Sequence, residues 1–296
     1  MVASTTFSIG GGRVVCRLGF GTVRLLGPGA WGEPPDSEAS RSLLRHVVAS
    51  GVNFLDTSDA YGPLVAEQLI ADALHPYSDE LVIATKGGME PSGPGAWERN
   101  GTPRHLRRAC EQSLRRLRLD CLDLYQLHAV DPAVPLEDSV GALAQLRERG
   151  LIRHVGLCNV DAEQLAAARK VTTIESVQNR FNVIDRQSEP VLEVCESAGI
   201  AFLPWFPLGR GTFHKPRGPL AEVARRYGIS GAQAALAWLL HRAPNIIAIP
   251  GTSSPTHFAD NRAALAVCLD ASDVAFLSGS ACATMTTPSD NAFPSH

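Results

Sequence analysis

The chain has 296 residues, 45% of them hydrophobic and 19% charged, with 27 Lys and Arg against 30 Asp and Glu and a formal net charge of −3. Such a composition supplies ample material for a core. It lacks the overall basicity of a nucleic-acid-binding or anionic-membrane-binding protein, so neither partner is expected.

In chain order, the opening MVASTTFSIGGGRVV has neither the basic nor the apolar region of a signal peptide. Gly10-Gly11-Gly12 reads as the turn of a small N-terminal hairpin. From Arg17 onward, short runs rich in Val, Ile and Leu alternate with longer stretches of helical periodicity. The predicted order begins with strand 17–21, helix 37–49, strand 53–56, helix 64–74, strand 81–86 and helix 103–117. It continues with strand 122–127, helix 136–147, strand 154–157, helix 162–169, strand 176–178 and helix 190–198. Strand 201–204, helices 220–227 and 231–241, strand 246–250 and helix 256–267 complete it.

Local punctuation supports the helices. Thr102-Pro103 places an N-cap before a proline at the first helical position, and Gly51, Gly150 and Gly199 stand where helices should end. Short links between apolar strands argue for a parallel sheet covered on both faces, and eight strand–helix units make a (β/α)8 TIM barrel of the α/β class. An open doubly wound sheet would want G-x-G-x-x-G after the first strand, but Gly19-Phe20-Gly21-Thr22-Val23-Arg24 lacks the third glycine. No boundary interrupts the alternation, so residues 1–296 are expected to be a single barrel domain, with 278–296 a loosely ordered tail.

Seven cysteines, with no C-x-x-C pair, indicate neither a disulfide framework nor a zinc site. No apolar run is long enough to span a bilayer. A reducing, cytoplasmic setting is expected, with no metal. The basic cluster Arg104, Arg107, Arg108, Arg115, Arg116 and Arg118 falls on a predicted helix and reads as a solvated face.

Barrel chemistry collects at the C-terminal ends of the strands. Those ends carry Asp56, with Tyr61 in the loop behind it, then Lys86 and His128. Taken singly, each has a bland reading: a turn cap, turn chemistry, a solvated lysine, a structural histidine. Their joint occurrence at three successive strand ends favours one pocket. A phenol has a pKa of roughly 10 in isolation, and a neighbouring ammonium is expected to lower it. Asp56 can hold Lys86 charged, and His128 can orient a substrate oxygen. The set makes a proton donor aimed at a developing alkoxide, while the second reactant must come from a cofactor.

Three segments carry a family resemblance that runs from Leu18 to about Leu277. Residues Asn53 to Gly62 (NFLDTSDAYG), Ile83-Ala84-Thr85-Lys86 and Asp123 to His128 (DLYQLH) resemble signatures of the aldo-keto reductases. The resemblance implies carbonyl reduction with a reduced nicotinamide cofactor, with Tyr61 as general acid, Lys86 and Asp56 tuning it and His128 positioning the carbonyl. Gly27 to Gly32 and Ile249 to Ser254 are similar to the branch containing bacterial pyridoxal reductases. By the same resemblance, Gly21 and Thr22 lie near the nicotinamide ribose, Cys158, Asn159 and Gln178 near the carboxamide, and Trp205 on the ring. Pro207, Leu208, Gly209 and Arg210 match the pyrophosphate loop. Gly251, Thr252 and Ser253 match the 2′-phosphate loop, and Asp260 and Asn261 the adenine contacts. His257 stands where many NADP-preferring members have arginine. The loop hydroxyls favour NADPH over NADH.

Pyridoxal is the first expected substrate, and a keto-sugar or natural-product carbonyl the alternative. A Schiff-base aldolase using Lys86 would need that lysine apolar and unpaired. A non-catalytic, cofactor-sensing subunit would not need all four residues. Specificity is assigned to loops 27–35, 88–101, 129–135 and 211–218, with Trp31 and Trp97 as aromatic walls or loop anchors.

Overall fold

The computed structural model describes residues 4–280. The chain opens with an antiparallel hairpin, β1 (Thr6–Ile9) and β2 (Arg13–Cys16). Gly10 and Gly11 turn it at φ +57° and +73°, a region that costs glycine nothing. Then follow β3 (Phe20–Gly21), α1 (Ser37–Ala49), β4 (Phe54–Asp56), α2 (Val65–Leu74) and β5 (Val82–Gly87). A second hairpin, β6 (Met89–Gly93) and β7 (Ala96–Arg99), precedes α3 (Pro103–Leu117). Alternation resumes with β8 (Leu122–Leu127), α4 (Leu136–Glu148), β9 (Ile152–Cys158), α5 (Ala162–Val171), β10 (Ser176–Gln178), α6 (Glu189–Ser197) and β11 (Ala201–Phe202). Helices α7 (Gly218–Tyr227), α8 (Gly231–Arg242), α9 (Pro255–Ala263) and α10 (Ala271–Ser280) follow.

Seven strands form one parallel sheet in the order β3-β4-β5-β8-β9-β10-β11. Residues 246–250 close it. Leu18 bridges Ala248 on one side and Phe202 bridges Ile246 on the other. The Ala248 N–H donates to Arg17 O at 2.8 Å and the Ile247 N–H to Phe202 O at 2.9 Å. The result is a barrel of the (β/α)8 type. The eighth member is a pair of single bridges rather than the expected ladder, and strands 17–21 and 201–204 shorten to two residues each. Pro204 and Pro250 have no N–H to extend the pairing.

The pleat explains what faces where. Successive side chains point to opposite sides of a strand. Phe54, Val82, Ala84, Leu124, Ala201, Leu203, Ile247 and Ile249 fill the barrel interior, with Ile9 and Val15 of the first hairpin packed against them. Their neighbours Leu55, Ile83, Tyr125 and Leu127 join the larger core between sheet and helices. Asn53 ties the hairpin to the N-terminal end of β4, accepting from the Cys16 N–H at 2.8 Å and donating to Val14 O at 2.9 Å. The opposite end of the barrel is left for chemistry.

Two sequence expectations need correction. Residues 278–280 belong to α10 rather than to a loose tail: Trp238, fully buried on α8 and stacked on Phe181, donates its indole N–H to Ser278 Oγ at 3.0 Å. The rest of the expected tail, 281–296, lies outside the described residues. Nor is the basic cluster wholly a solvated face. Arg116 pairs at 2.6 Å with Glu67, whose side chain is fully buried and also accepts from Thr85 Oγ1 at 2.6 Å.

Arg17 is a buried cation that holds the barrel seam by donating to Ile246 O, Leu240 O, Ala243 O and Ser4 O. Burial pulls its pKa down to about 10. Arg17→Met strands those carbonyls and is expected to cost about 3 kcal/mol, read as a lowered urea midpoint with an unchanged slope.

Candidate active site

The period-two rule that fills the barrel also aims its charged groups. Asp56 follows Phe54 by two, Lys86 follows Ala84 by two, and His128 lies four beyond Leu124. All three therefore continue interior-facing rows at the C-terminal end of the barrel. Lys86 Nζ donates to Asp56 Oδ1 and Oδ2 at 2.7 and 2.9 Å and to Thr57 O at 2.8 Å. Its three protons are thus all engaged. Tyr61 arrives from the loop after β4. Lys86 Nζ lies 5.3 Å from the centroid of its ring, and the His128 ring meets it edge-on at 5.9 Å. The structure brings all four residues together.

Burial works against the Lys86 ammonium, but Asp56 and the Tyr61 phenol outweigh it and hold its pKa above the ordinary value. A nucleophilic amine would need the reverse, which removes the aldolase alternative. Burial raises the Tyr61 phenol and Lys86 opposes it; burial wins, and the pKa is pushed up to about 12. This corrects the expectation that Lys86 would bring the phenol below its isolated value. The phenol therefore keeps its proton at neutral pH. Burial and Lys86 together hold His128 well below the ordinary histidine pKa, so its ring is neutral.

The residues assigned to the cofactor surround this cluster. Thr22 Oγ1 donates to Asp56 O at 3.1 Å, and Gln178 Nε2 donates to Asp56 Oδ1 at 2.7 Å. Asn159 sits at the end of β9 with a positive φ of 58°. It donates to His128 O at 3.1 Å and to Cys158 Sγ at 3.3 Å, and it accepts from Trp205 Nε1 at 2.9 Å. Burial pushes the Cys158 thiol up to about 12, so it remains a thiol. Gly21 and Gly251 lie back to back, where a Cβ on either would come within 2.9 Å of the other strand's backbone. Arg210 lies over the Phe206 ring at 4.9 Å, beside buried Pro207 and Leu208 and next to Gly209 at φ 53°.

The remaining cofactor candidates occupy the outer rim. Thr252 Oγ1 accepts from the Ser254 N–H at 3.0 Å, Ser253 is exposed, and exposed His257 stacks on His214 at 4.8 Å. That stack joins the loop 209–214 to the loop 251–257. Asp260 is committed to helix α8, accepting from Ser230 Oγ at 2.7 Å and Gln233 Nε2 at 2.8 Å. Asn261 is buried, and its Oδ1 has no partner among the described residues. No cluster of three metal-ligating side chains exists among the described residues, and no described helix is long and apolar enough to cross a membrane.

The loop 27–35 docks beside Tyr61: the Gly62 N–H donates to Ala30 O, and the Gly32 N–H to Gly62 O, each at 2.9 Å. Trp97 on β7 packs against Ala60, Met89 and Ala129, which makes it a wall of the same mouth. Sequence reasoning passed over Ser58, Asp59 and Arg180. Arg180 lies over the Trp205 ring at 5.9 Å. Ser58 and Asp59 sit inside the segment already singled out for Asp56 and Tyr61, but a turn reading concealed their burial.

Asp59 is 7% exposed, and burial with the nearby Glu67 charge pushes its pKa up from 3.8 to about 8. An acid that holds its proton in the fold while the unfolded chain ionises costs stability. The cost is absent below about pH 4, grows with pH and levels off above about 8. Asp59→Asn removes it, so the variant should melt higher than wild type near pH 8, by roughly 10 °C, and no higher near pH 4.

Residues 17–280 match the family model described as the aldo/keto reductase family. An uncharacterized oxidoreductase of Schizosaccharomyces pombe is 45% identical over 251 residues, covering 85% of this chain and 82% of its own. The pyridoxine 4-dehydrogenase of Escherichia coli is 42% identical over 269 residues, covering 89% and 93%. Among solved structures, an aldo-keto reductase from Klebsiella pneumoniae in complex with NADPH superposes with a TM-score of 0.78 at 27% identity, covering 94% of each chain.

Proposed function

Because the chain belongs to the aldo/keto reductase family, we propose that it reduces a small aldehyde, pyridoxal first among them, to an alcohol using NADPH in the cytoplasm. One observation carries the reading: Asp56, Tyr61, Lys86 and His128 meet at one end of the barrel, with Tyr61 protonated and His128 neutral. The 42% identity to a pyridoxine 4-dehydrogenase supports the choice of pyridoxal.

The residues present fit a nicotinamide dinucleotide. Trp205 is a half-buried indole pinned by Asn159 at the edge of the site, suited to stacking. Cys158, Asn159 and Gln178 offer amide and thiol partners to a carboxamide. The opposed glycines Gly21 and Gly251 keep side chains off the barrel rim, Arg210 supplies a cation for a pyrophosphate, and Asn261 Oδ1 offers a buried acceptor for an exocyclic amine. Thr252, Ser253 and His257 would meet the 2′-phosphate. When bound, the reduced nicotinamide supplies the hydride.

The chain's own residues do the rest. The neutral His128 ring donates a hydrogen bond to the carbonyl oxygen and fixes its position. Tyr61 Oη gives its proton to that oxygen as charge develops there. Lys86, held by Asp56, places a positive charge beside the phenolate that remains and so lowers the cost of forming it. Trp97 and the loop 27–35 exclude water from one side.

The test is consumption of NADPH by the purified protein with pyridoxal and a panel of aldehydes and ketones. The reading predicts pyridoxal among the best substrates, with kcat/KM for NADPH at least about tenfold above that for NADH, equivalent to about 1.4 kcal/mol. Turnover of ketones alone would overturn pyridoxal, and binding of the cofactor without any turnover would overturn catalysis.

A further inference from the structure

We propose that Asp59 and Ser58 form a hydrogen-bonded relay that sets which nitrogen of His128 carries the ring proton, and so whether His128 can hold a carbonyl oxygen. It rests on the reading of His128 as the group that binds that oxygen.

Ser58 Oγ lies 3.1 Å from His128 Nδ1 and 3.2 Å from Asp59 Oδ1, and it accepts from the Ala60 N–H at 3.1 Å. A hydroxyl has one proton to donate and two lone pairs. With one lone pair taken by Ala60, the two remaining bonds must run in one direction. If Asp59 is protonated, it donates to Ser58, Ser58 donates to His128 Nδ1, and the single ring proton sits on Nε2. If Asp59 is a carboxylate, it accepts from Ser58, Ser58 accepts from Nδ1–H, and Nε2 is left bare. Nδ1 is committed to Ser58 in both states, so a carbonyl oxygen would meet His128 through Nε2. Only the first state donates to a carbonyl. Passing to the second releases one proton from Asp59 to solvent, while the ring proton moves from Nε2 to Nδ1 by exchange with water.

The surroundings select the first state at neutral pH. Burial and the Glu67 carboxylate on α2 favour protonated Asp59 and outweigh Arg116 on α3 and the hydrogen bonds from Ser58 Oγ and the Ala60 N–H, which favour the carboxylate. The Tyr125 phenol on β8 also feels the Asp59 charge, and Lys86 on β5 presents its carbonyl to the Asp59 N–H at 3.5 Å. Glu90 on β6 and His105 and Arg108 on α3 share with Asp59 a cleft of about 190 Å³. Asp59 can therefore exchange its proton through that cleft. The balance puts its titration at about 8. His128 itself faces Lys86, the Tyr61 ring and Ser58, and stays neutral throughout.

The test is nitrogen NMR of the full chain labelled at histidine, with the His128 signals assigned by their loss in His128→Gln. Wild type should show the Nε2–H tautomer near pH 6.5 and the Nδ1–H tautomer near pH 9.5, about 1.5 units either side of the relay's pKa. Asp59→Asn cannot ionise, so its His128 should keep the same tautomer at both pH values. Ser58→Ala should remove the switch and leave one mixture of tautomers throughout. In turnover, kcat/KM of wild type should fall at least about fivefold between those pH values, and that fall should vanish in Asp59→Asn. One and the same tautomer in wild type at both pH values would overturn the relay. So would an Asp59→Asn profile identical to wild type. The NMR arm needs no turnover, so a tautomer switch in a protein inert toward carbonyls would sink the functional reading and leave the relay standing.

Discussion

Tyr61→Phe should lower kcat by at least about a thousandfold while leaving NADPH affinity within about threefold, read from quenching of tryptophan fluorescence. The expectation follows from the state of the phenol. Burial keeps it protonated at neutral pH, with a pKa of about 12. It must therefore act by giving that proton up, and nothing else near the carbonyl position can replace it. Lys86 has its three protons engaged by Asp56 and Thr57, and His128 is a neutral ring. The benzene ring of phenylalanine keeps the edge contact with His128, so packing survives and the loss falls on the chemical step. A variant that retained a tenth of the wild-type rate would remove Tyr61 as the acid.

Asp56→Asn should be as damaging to rate and more damaging to the fold. Asp56 is 3% exposed and accepts from Lys86 Nζ twice and from Gln178 Nε2 once. Removing its charge leaves an ammonium with no exposed surface facing a neutral amide. Breaking a buried pair in this way costs about 3–5 kcal/mol, which lowers the melting temperature by roughly 10 °C for a chain of this size. Lys86→Met in the same background should recover part of that loss, because it removes the stranded charge. It should recover no activity, since the phenolate formed on proton transfer would then lack its cation. Equal stability of the single and double variants would show that the pair is not coupled.

Much of the fold was legible because the barrel repeats a local rule. The boundaries of α1, α3, β8 and β10 follow from caps, proline at the first helical position and short apolar runs, and the structure has those elements at the expected residues. The misses share a cause, which is local sequence lacking a periodic signal. Strands β6 and β7 are mostly exposed, and β6 contains Pro91 and Gly93, so they read as loop. Helix α10 spans ASDVAFLSGS, where serines and glycine mask a helix that docks through Ser278 on Trp238. The barrel seam was over-read as a full strand because apolar residues 246–250 look alike whether they make a ladder or two bridges.

For the site, residue types at strand ends revealed which groups converge, because the pleat fixes their direction. They did not reveal balances. Whether burial or Lys86 decides the state of Tyr61 depends on how much water reaches the ring, which residue spacing does not encode. Asp59 was hidden for a similar reason. In DTSDAYG it looks like a solvated turn residue, yet Glu67 from α2 and the floor under α3 enclose it.

The most direct test of the convergence of the four residues on one carbonyl is a crystal structure of the protein with oxidised cofactor and an aldehyde-mimicking carboxylate. One oxygen of that ligand should lie within hydrogen-bonding distance of both Tyr61 Oη and His128 Nε2, with Lys86 still held by Asp56. A ligand oxygen bound elsewhere, with Tyr61 Oη turned to solvent, would contradict the account.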